Sequence, residues 1–402
     1  MSRILLAWEL GTGLGHLAPF LGIAPKLLER GHTLHVAARE ITGALRAVGD
    51  LPIAVHQAPL CLNTYGGLQE PPLNFAEILM RYGYLEPAML RAMIAAWQSL
   101  LRVTGADVLL ADHAPTALIA ARLLGVARAV IGTPFSVPPE VHPTPNMRPW
   151  MPVPAARLID SDTRILATIK AALPAGAEQI TAIHQMFAGA AQFFIGVPET
   201  DAYGPRAAAT YLGLAGVNAG GAVPGWPAGA GKRVFAYLHA SYAHSEATMA
   251  ALSASGARVI AYVLGADAAA QLRYAGQGAT VVTGPADLEQ LFRQAELCVT
   301  HGPGTTLAAL RQGVPVLVLP KQLENYLFAL ALQRIGVCGL LHPDRHLPDI
   351  QALLDDMLGN EAYRTRARAF ADRYSSPPVD TIIEQVIGRI ESLAAAPQEE
   401  TS

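Results

Sequence analysis

The sequence predicts an α/β protein with two doubly wound domains, each a parallel sheet with helices on both faces. Three observations predict this class: a length of 402 residues, an apolar content of 51% with only 15% charged residues, and short apolar runs that alternate with segments of helical period. A chain of this length exceeds one ordinary core, and its apolar content excludes a disordered protein. Strands that alternate with helices indicate parallel sheets buried on both faces.

Both halves of the chain show this alternation. In the first half, apolar residues recur at helical spacing from Phe20 to Leu28, and Gly31 ends that helix before the next strand. The strands predicted in the first half are residues 4–8, 33–38, 107–111 and 126–131. Those predicted in the second half are residues 233–239, 258–264, 279–283, 297–300 and 314–319.

A stretch nearly free of charge separates the halves and sets the predicted domain limits. Residues 213–232 are rich in Gly, Ala and Pro, a composition typical of linkers between domains. We therefore predict a first domain at residues 1–212 and a second at residues 233–377. A final amphipathic helix at residues 378–395 can pack back on the first domain or remain with the second.

Composition and charge exclude several function classes. The formal net charge is -3 and no basic block stands out, so nucleic acid is not an expected partner. The three cysteines lie far apart and fit no metal spacing, so neither a metal nor a bound cofactor is expected. No apolar run is long enough for a membrane-spanning helix, and the N-terminal run has the length of a strand rather than of a signal peptide. We expect a cytoplasmic protein.

Two irregular insertions rich in aromatic residues interrupt the first half. They are residues 63–101 and residues 133–154, the latter with eight prolines. Insertions at the carboxyl edge of a parallel sheet commonly hold ligands. The aromatic residues that are candidates for contacting a ligand are Phe75, Tyr82, Phe135 and Trp150. The alternative, which we favour for most of them, is that these rings pack the insertions onto the sheet.

A candidate phosphate site is the segment His301-Gly302-Pro303-Gly304-Thr305-Thr306, which follows a predicted strand. A helix is predicted to begin at Thr305. Glycines let the backbone approach a phosphate, and the N–H groups and dipole at the start of a helix favour negative charge. The hydroxyls of Thr305 and Thr306 and a ring N–H of His301 are further candidate donors. The alternative is a plain turn in which Thr305 only caps the helix.

A second candidate site follows the first predicted strand, in the segment Gly11-Thr12-Gly13-Leu14-Gly15-His16. His16 stands where a dinucleotide fingerprint has its third glycine, so that motif is weak. A histidine at the mouth of a parallel sheet has the pKa range of a general base. Asp112 follows another strand at the same edge and is a candidate partner that would fix the imidazole tautomer. His113 is a rival for either role, and helix N-capping is the alternative for Asp112.

Taken together, these segments resemble the glycosyltransferase superfamily of GT-B architecture. Its members include UDP-glucuronosyltransferases, plant natural-product glycosyltransferases and bacterial antibiotic glycosyltransferases. The segments that carry the resemblance are Gly11-x-Gly13-x-Gly15-His16, the stretch from Asp107 through Asp112 to Pro134, the loop His301-Gly302-Pro303-Gly304-Thr305-Thr306, Gly313-Val314-Pro315 and Glu324-Asn325. The resemblance covers most of the chain and is weakest over residues 60–105 and 140–230.

The resemblance implies that the second domain binds a UDP- or dTDP-sugar, that the first binds an acceptor, and that catalysis takes place in the cleft between them. It implies that His16 deprotonates an acceptor hydroxyl while Asp112 holds and charge-balances His16, with inversion at the anomeric carbon. The residues that it assigns to the donor are Ser241, His301, Gly302, Gly304, Thr305, Thr306, Glu324 and Asn325. Phe75, Tyr82, Phe135 and Trp150 become candidate acceptor-binding residues.

The sequence also departs from the family pattern. The loop at His301 is one residue shorter than the usual His-x-Gly-x-Gly-Thr, Ala308 stands where many relatives have a ribose-binding glutamate, and Asn325 replaces the commoner glutamine. Asp160-Ser161-Asp162 has the Asp-x-Asp pattern of metal-dependent glycosyltransferases of another architecture. Because it precedes a predicted helix at residues 163–173, we interpret it as helix capping and assign no metal site.

Three other classes of protein compete with a transferase. A nucleotide-sugar epimerase would bind the same donor but would need further carboxylates at the sugar, and no clear set is present. A non-catalytic nucleotide-sugar-binding auxiliary protein would not need both His16 and Asp112. An NAD-dependent oxidoreductase is disfavoured by His16 and by the second phosphate loop in the other half.

Overall fold

The computed structural model describes residues 1–215, 221–284, 286–342 and 350–395, and it confirms the predicted fold class. It contains two separate sheets, of seven and six strands, whose strands pair in parallel. The chain divides into two compact units. The first contains Met1–Ile195, Arg206–Tyr211 and the described residues from Ile383 onwards, and the second contains the described parts of Gly196–Pro205 and Leu212–Ile382.

The predicted linker, residues 213–232, falls within the second unit in this division, and its residues 216–220 lie outside the described residues. The predicted domain limits therefore stay a prediction. None of the helices among the described residues is long and apolar enough to cross a membrane.

The first unit is built on a sheet in the order β3-β2-β1-β4-β5-β6-β7. Its strands are β1 (Arg3–Trp8), β2 (Thr33–Ala38), β3 (Ile53–Gln57), β4 (Val108–Asp112), β5 (Ala127–Gly132), β6 (Ala191–Phe194) and β7 (Thr210–Tyr211). The chain runs outwards in one direction from β1 through β2 and in the other from β1 through β4. The point between β1 and β4 is therefore a topological switch point, where open parallel sheets hold their ligands.

The helices of the first unit cover both faces of this sheet. They are α1 (Ala18–Glu29), α2 (Ile41–Val48), α3 (Phe75–Leu79), α4 (Pro87–Thr104), α5 (Pro115–Leu123) and α6 (Ala155–Ala172). Helix α4 shows how the sequence sets where a helix begins and ends. Pro87 occupies its first turn, and Gly105 ends it in the left-handed conformation with φ 60°. The buried face of α4 packs Trp97 and its neighbours into the main apolar core.

The second unit repeats the design with the strand order β10-β9-β8-β11-β12-β13. The strands are β8 (Arg233–His239), β9 (Arg258–Leu264), β10 (Thr280–Val281), β11 (Leu297–Thr300), β12 (Val316–Val318) and β13 (Cys338–Leu340). The helices are α7 (Ser245–Ala254), α8 (Ala268–Gly276), α9 (Leu288–Phe292), α10 (Pro303–Arg311), α11 (Leu323–Arg334), α12 (Ile350–Gly359) and α13 (Glu361–Arg373). Its switch point lies between β8 and β11.

The last helix, α14 (Val379–Ala395), returns to the first unit from Ile383 onwards. Its carboxylates meet basic residues on and after α1: Glu384 pairs with Lys26 and Arg30, and Glu391 pairs with Arg30 and His32. Val386, Ile387 and Ile390 are fully buried on its other face. The contacts place this part of the predicted final helix with the first unit.

Candidate functional site

His16 and Asp112 meet at the switch point of the first sheet. Asp112 is the last residue of β4, opposite Trp8 at the end of β1, and His16 closes a short 3₁₀ turn just after β1. The His16 Nδ1 and Asp112 Oδ1 atoms are 3.0 Å apart, and the two side chains are only 10% and 3% exposed. Trp8 stacks on the His16 ring at 5.3 Å between ring centres. The pair expected from the sequence is therefore in direct contact.

Two glycines make room for this pair. Gly11 has φ +80°, and a Cβ there would lie 2.4 Å from Nε2 of His16. Gly132 ends β5 with φ +152°, and a Cβ there would lie between 2.7 and 2.9 Å from the carboxyl atoms of Asp112. Because both positions combine an unfavourable backbone conformation with a steric clash, any other residue would displace one partner of the pair.

The chemistry of the pair follows from the bond between its members. A carboxylate can only accept, so the Nδ1–H of His16 donates to Asp112, and Nε2 is the basic nitrogen of the ring. Burial raises the pKa of Asp112, and the neighbouring His16 acts in the opposite direction. Helix capping, the alternative for Asp112, is not what the structure shows: the residue that caps α5 is Ala114, without a side-chain bond.

His113 does not compete for the role of base. Its side chain is buried, and burial together with His16 and Arg39 lowers its pKa to about 3. Its backbone has φ 47°, and its carbonyl accepts from the N–H of Leu10 at 2.9 Å. Because the bond joins the loops after β1 and β4, we conclude that His113 shapes the site rather than acts in it.

Glu9 is a site-forming residue that we did not predict. It follows β1, is fully buried, and accepts from the backbone N–H of Thr116 at 3.0 Å and from the Thr116 hydroxyl. The Thr116 hydroxyl also meets the Tyr84 hydroxyl at 2.8 Å. Thus Glu9 caps the N-terminus of α5 from a distant point in the sequence and ties the loop of His16 to that of Asp112. Burial raises its pKa from 4.5 to about 7.

The four aromatic candidates for acceptor binding occupy different environments. Phe75 is fully buried and packs against His113 and Phe187, which agrees with the packing alternative, and its assignment to an acceptor surface stays a prediction. Phe135 is 7% exposed and also contacts His113 edge-on. Tyr82 is half-buried beneath the guanidinium of Arg39, and Trp150 is 37% exposed. Tyr82 and Trp150 therefore remain the accessible candidates.

Asp160-Ser161-Asp162 is not a helix cap, because α6 begins at Ala155 and the segment lies inside it. Asp162 instead accepts from the backbone N–H and hydroxyl of Thr144, at 2.8 and 3.0 Å, and from Asn74. His142 lies 3.2 Å from the same carboxylate. Asp162 thus anchors the proline-rich insertion to α6. Among the described residues, no group of three or more His, Cys, Asp or Glu side chains is placed to hold a metal ion.

In the second unit, three neighbouring strands bring polar groups of side chains and backbone to one edge of the sheet. His239 ends β8, His301 follows β11, and Leu319 follows β12. The backbone N–H of His239 donates to Nε2 of His301 at 3.0 Å, while Nδ1 of His301 lies 2.6 Å from the carbonyl oxygen of Leu319. Because a carbonyl only accepts, Nδ1 carries the proton, and the ring is the neutral tautomer with both nitrogens engaged.

This arrangement differs from the one expected for His301, whose role in donor binding stays a prediction. Its ring N–H was expected to donate to a phosphate oxygen, but that proton is used by Leu319 and the other nitrogen is an acceptor. The side chain is 4% exposed, and burial lowers its pKa to about 4. In this geometry, His301 braces the ends of three strands and carries no positive charge.

The helix after this loop begins earlier than predicted, at Pro303 rather than Thr305, with Gly302 as its capping residue. Proline at the first helical position needs no partner for an N–H, which leaves Gly304 and Thr305 to present theirs at the open end of α10. Thr305 is partly exposed, whereas the buried Thr306 donates its hydroxyl to the Gly302 carbonyl at 2.9 Å. The Thr306 hydroxyl is thus engaged within the helix, its donation to a phosphate stays a prediction, and the Thr305 hydroxyl is the more accessible of the two.

The remaining predicted donor residues lie at the same edge of the second sheet. Glu324 and Asn325 occupy the first turn of α11. The amide nitrogen of Asn325 approaches the start of α10, 3.5 Å from the position of a Cβ on Gly302. Ser241 is exposed in the loop between β8 and α7.

Lys321 is a residue of this edge that we did not predict. It lies three residues beyond the end of β12, and its ammonium group is 3.0 Å from Nδ1 of His239. Because an ammonium group only donates, Nδ1 of His239 accepts and its Nε2 carries the ring proton. Burial and the charge of Lys321 lower the pKa of His239. A lysine shortly after the predicted strand at residues 314–319 was the available sequence signal.

Residues 246–392 match the family described as "Erythromycin biosynthesis protein CIII-like, C-terminal domain". No curated protein sequence matches the chain. Solved structures match it over nearly its whole length at low identity. The glycosyltransferase VinC, in complex with dTDP, is 17% identical with a TM-score of 0.63, over 98% of this chain and 99% of that chain. The glycosyltransferase SsfS6 from Streptomyces sp. SF2575 is 17% identical with a TM-score of 0.64, over 96% and 100%.

A third match is the spinosyn rhamnosyltransferase SpnG complexed with thymidine diphosphate, 17% identical with a TM-score of 0.62 over 96% of this chain and 100% of that chain. These three structures are described as glycosyltransferases or as a rhamnosyltransferase. The resemblance inferred from the two loops and the strand-helix pattern is therefore confirmed. The chain has the GT-B fold and resembles the antibiotic glycosyltransferases that share it.

Proposed function

We propose that the protein is an inverting, metal-independent glycosyltransferase that moves a sugar from a dTDP- or UDP-sugar to a hydroxyl of a small, partly apolar acceptor. The observation that carries this proposal is the contact of His16 with Asp112 at 3.0 Å, at the switch point of the first sheet. A histidine oriented by a buried carboxylate is suited to take a proton from a hydroxyl.

The proposed reaction begins with the His16 base. Its Nε2 accepts the proton of the acceptor hydroxyl, and Asp112 stabilises the imidazolium that forms. The acceptor oxygen attacks the anomeric carbon from the face opposite the diphosphate. As that bond forms, the bond from the anomeric carbon to the diphosphate oxygen breaks, and the electron pair leaves with the nucleoside diphosphate. One displacement from the opposite face inverts the anomeric configuration.

The leaving diphosphate needs preorganised positive potential, which the start of α10 supplies. The N–H groups of Gly304 and Thr305 point out of the helix, and its dipole favours negative charge there. Glu324 and Asn325 are proposed to hold the hydroxyls of the sugar, with Ser241 a further contact to the phosphates. These donors need no metal or cofactor.

The relatives guide the choice of substrates. VinC and SpnG are described as complexes with dTDP and with thymidine diphosphate, and SpnG also as a complex with spinosyn aglycone. We therefore place dTDP ahead of UDP as the nucleotide and a natural-product aglycone ahead of other acceptors. Tyr82 and Trp150 are proposed as acceptor contacts, because they are the accessible aromatic residues of the two insertions.

A non-catalytic auxiliary protein or an epimerase of the same fold is less well supported. Neither explains why Gly11 and Gly132 leave space for the His16–Asp112 pair. An epimerase would act on the sugar in the donor unit and would not require a base in the other unit.

The test separates donor binding from transfer. We expect His16→Ala to bind dTDP as the wild type does, measured by calorimetry, and to lose transfer by about 10²- to 10⁴-fold, measured as dTDP release from dTDP-glucose with phenolic and macrolide alcohols as acceptors. His56→Ala, the same change in β3, is the matched control and should retain transfer. Loss of dTDP binding in His16→Ala, or full transfer activity in it, would overturn the proposal.

A further inference from the structure

The carboxyl edge of the second sheet carries a lysine whose partner is a neutral ring. Lys321 donates to Nδ1 of His239 at 3.0 Å, and His239 in turn is joined through its backbone N–H to His301. Among the described residues, Lys321 forms no ion pair with a carboxylate. The side chain is exposed, and its partial burial lowers its pKa. An accessible ammonium group that has no carboxylate partner among the described residues can attract an anion.

The other groups at this edge of the sheet provide no full positive charge for an anion. His301 is neutral, and neither of its ring nitrogens is left to donate. Thr306 directs its hydroxyl to Gly302. The start of α10 therefore offers backbone N–H groups and a partial dipole charge, but no full positive charge, to a diphosphate that carries several negative charges.

Lys321 and His239 are placed to supply the positive charge and the ring N–H donor that His301 does not supply. His239 ends β8 and Lys321 lies in the loop after β12, and these two strands pair with β11 on its two sides. The lysine fixes the tautomer of His239, so that Nε2–H of this ring is a donor, and no hydrogen bond from it to a described residue is found. The pair thus offers an ammonium group and a ring N–H beside the start of α10.

We propose that Lys321 and His239 bind the diphosphate of the nucleoside-diphosphate donor, while His301 braces the strand ends beneath them. Lys321 provides the positive charge, and His239 provides a neutral donor whose orientation Lys321 sets. This inference rests on the proposed function, since it assigns residues to the donor site of that reaction.

The test compares dTDP with thymidine, which lacks the phosphates, by calorimetric titration of the full chain. We expect Lys321→Met to weaken dTDP binding about 10- to 100-fold, the range for loss of a hydrogen bond to a charged group, and to leave thymidine binding unchanged. Lys321→Arg should retain most of the affinity for dTDP. The matched control is Lys232→Met, which removes the same charge from the opposite end of β8, where Lys232 pairs with Glu361.

The role of His301 is tested in parallel with His301→Gln. We expect this change to lower the melting temperature and to affect dTDP and thymidine alike, because it disturbs the strand ends rather than a phosphate contact. If Lys321→Met leaves the ratio of dTDP to thymidine affinity unchanged, or if only His301→Gln lowers that ratio, the inference is wrong while the proposed function stands. If the wild type does not bind dTDP or UDP, both are wrong.

Discussion

Replacing Glu9 by glutamine should abolish a pH dependence of stability that the wild type carries. The carboxyl is fully buried, and burial raises its pKa from 4.5 to about 7 in the folded chain. Between these two pH values, the folded state keeps a proton that the unfolded state releases. The free energy of unfolding therefore falls as pH rises from 4.5 through 7 and is constant above that range.

The size of the effect follows from the shift. At 1.36 kcal/mol per pKa unit, a rise from 4.5 to about 7 corresponds to about 3 kcal/mol of stability lost across the window. Glutamine has no proton to lose; its amide oxygen can accept from the N–H of Thr116, and its NH2 group can donate to the Thr116 hydroxyl oxygen once that hydroxyl rotates. Glu9→Gln should therefore match the wild type near pH 4.5 and exceed its stability by up to about 3 kcal/mol at pH 8.

Urea denaturation followed by circular dichroism at pH 5 and pH 8 measures this difference. Glu40→Gln is the matched control, because Glu40 is an exposed carboxyl that caps α2 and should not produce the same change between the two pH values. Equal urea midpoint differences between Glu9→Gln and the wild type at both pH values would refute the reasoning. So would a Glu9→Gln variant that loses stability relative to the wild type as pH rises.

Two further predictions concern the His16–Asp112 pair. Asp112→Asn should lower transfer by about 10²- to 10⁴-fold, because the amide can hold the ring of His16 in the wrong tautomer. The affinity for dTDP, measured by titration, should be unchanged. An unaffected transfer rate would rule out the orienting role. Gly132→Ala should lower the free energy of unfolding by about 1–3 kcal/mol, with a lower melting temperature, and should reduce transfer at least about 10-fold. The reason is that its Cβ would lie 2.7 Å from Oδ1 of Asp112. Gly22→Ala, on the open side of α1, is its control, and similar behaviour of the two variants would contradict the steric argument.

Several features of the protein are local in sequence and could be predicted from it. The apolar runs define most strands, and the bounds of β2, β8, β9 and β11 agree with the predicted ranges. The short strands β3, β6, β7 and β13 were missed, because runs of two to five residues form strands here only through pairing with neighbours that are distant in sequence. The placement of His16 and Asp112 at one edge followed from their positions after parallel strands.

The sequence by itself thus determined the fold class, the two loops and the edge of the first sheet at which His16 and Asp112 meet. The tertiary structure alone decided which atoms of these residues are engaged, because the deciding partners are brought together by strand order. Nε2 of His301 accepts from the backbone N–H of His239, 62 positions away, and the ammonium group of Lys321 contacts His239 across 82 positions. Glu9 reaches Thr116 across 107 positions. Local periodicity carries no information on such pairs, and they set the charge and the proton positions at both edges.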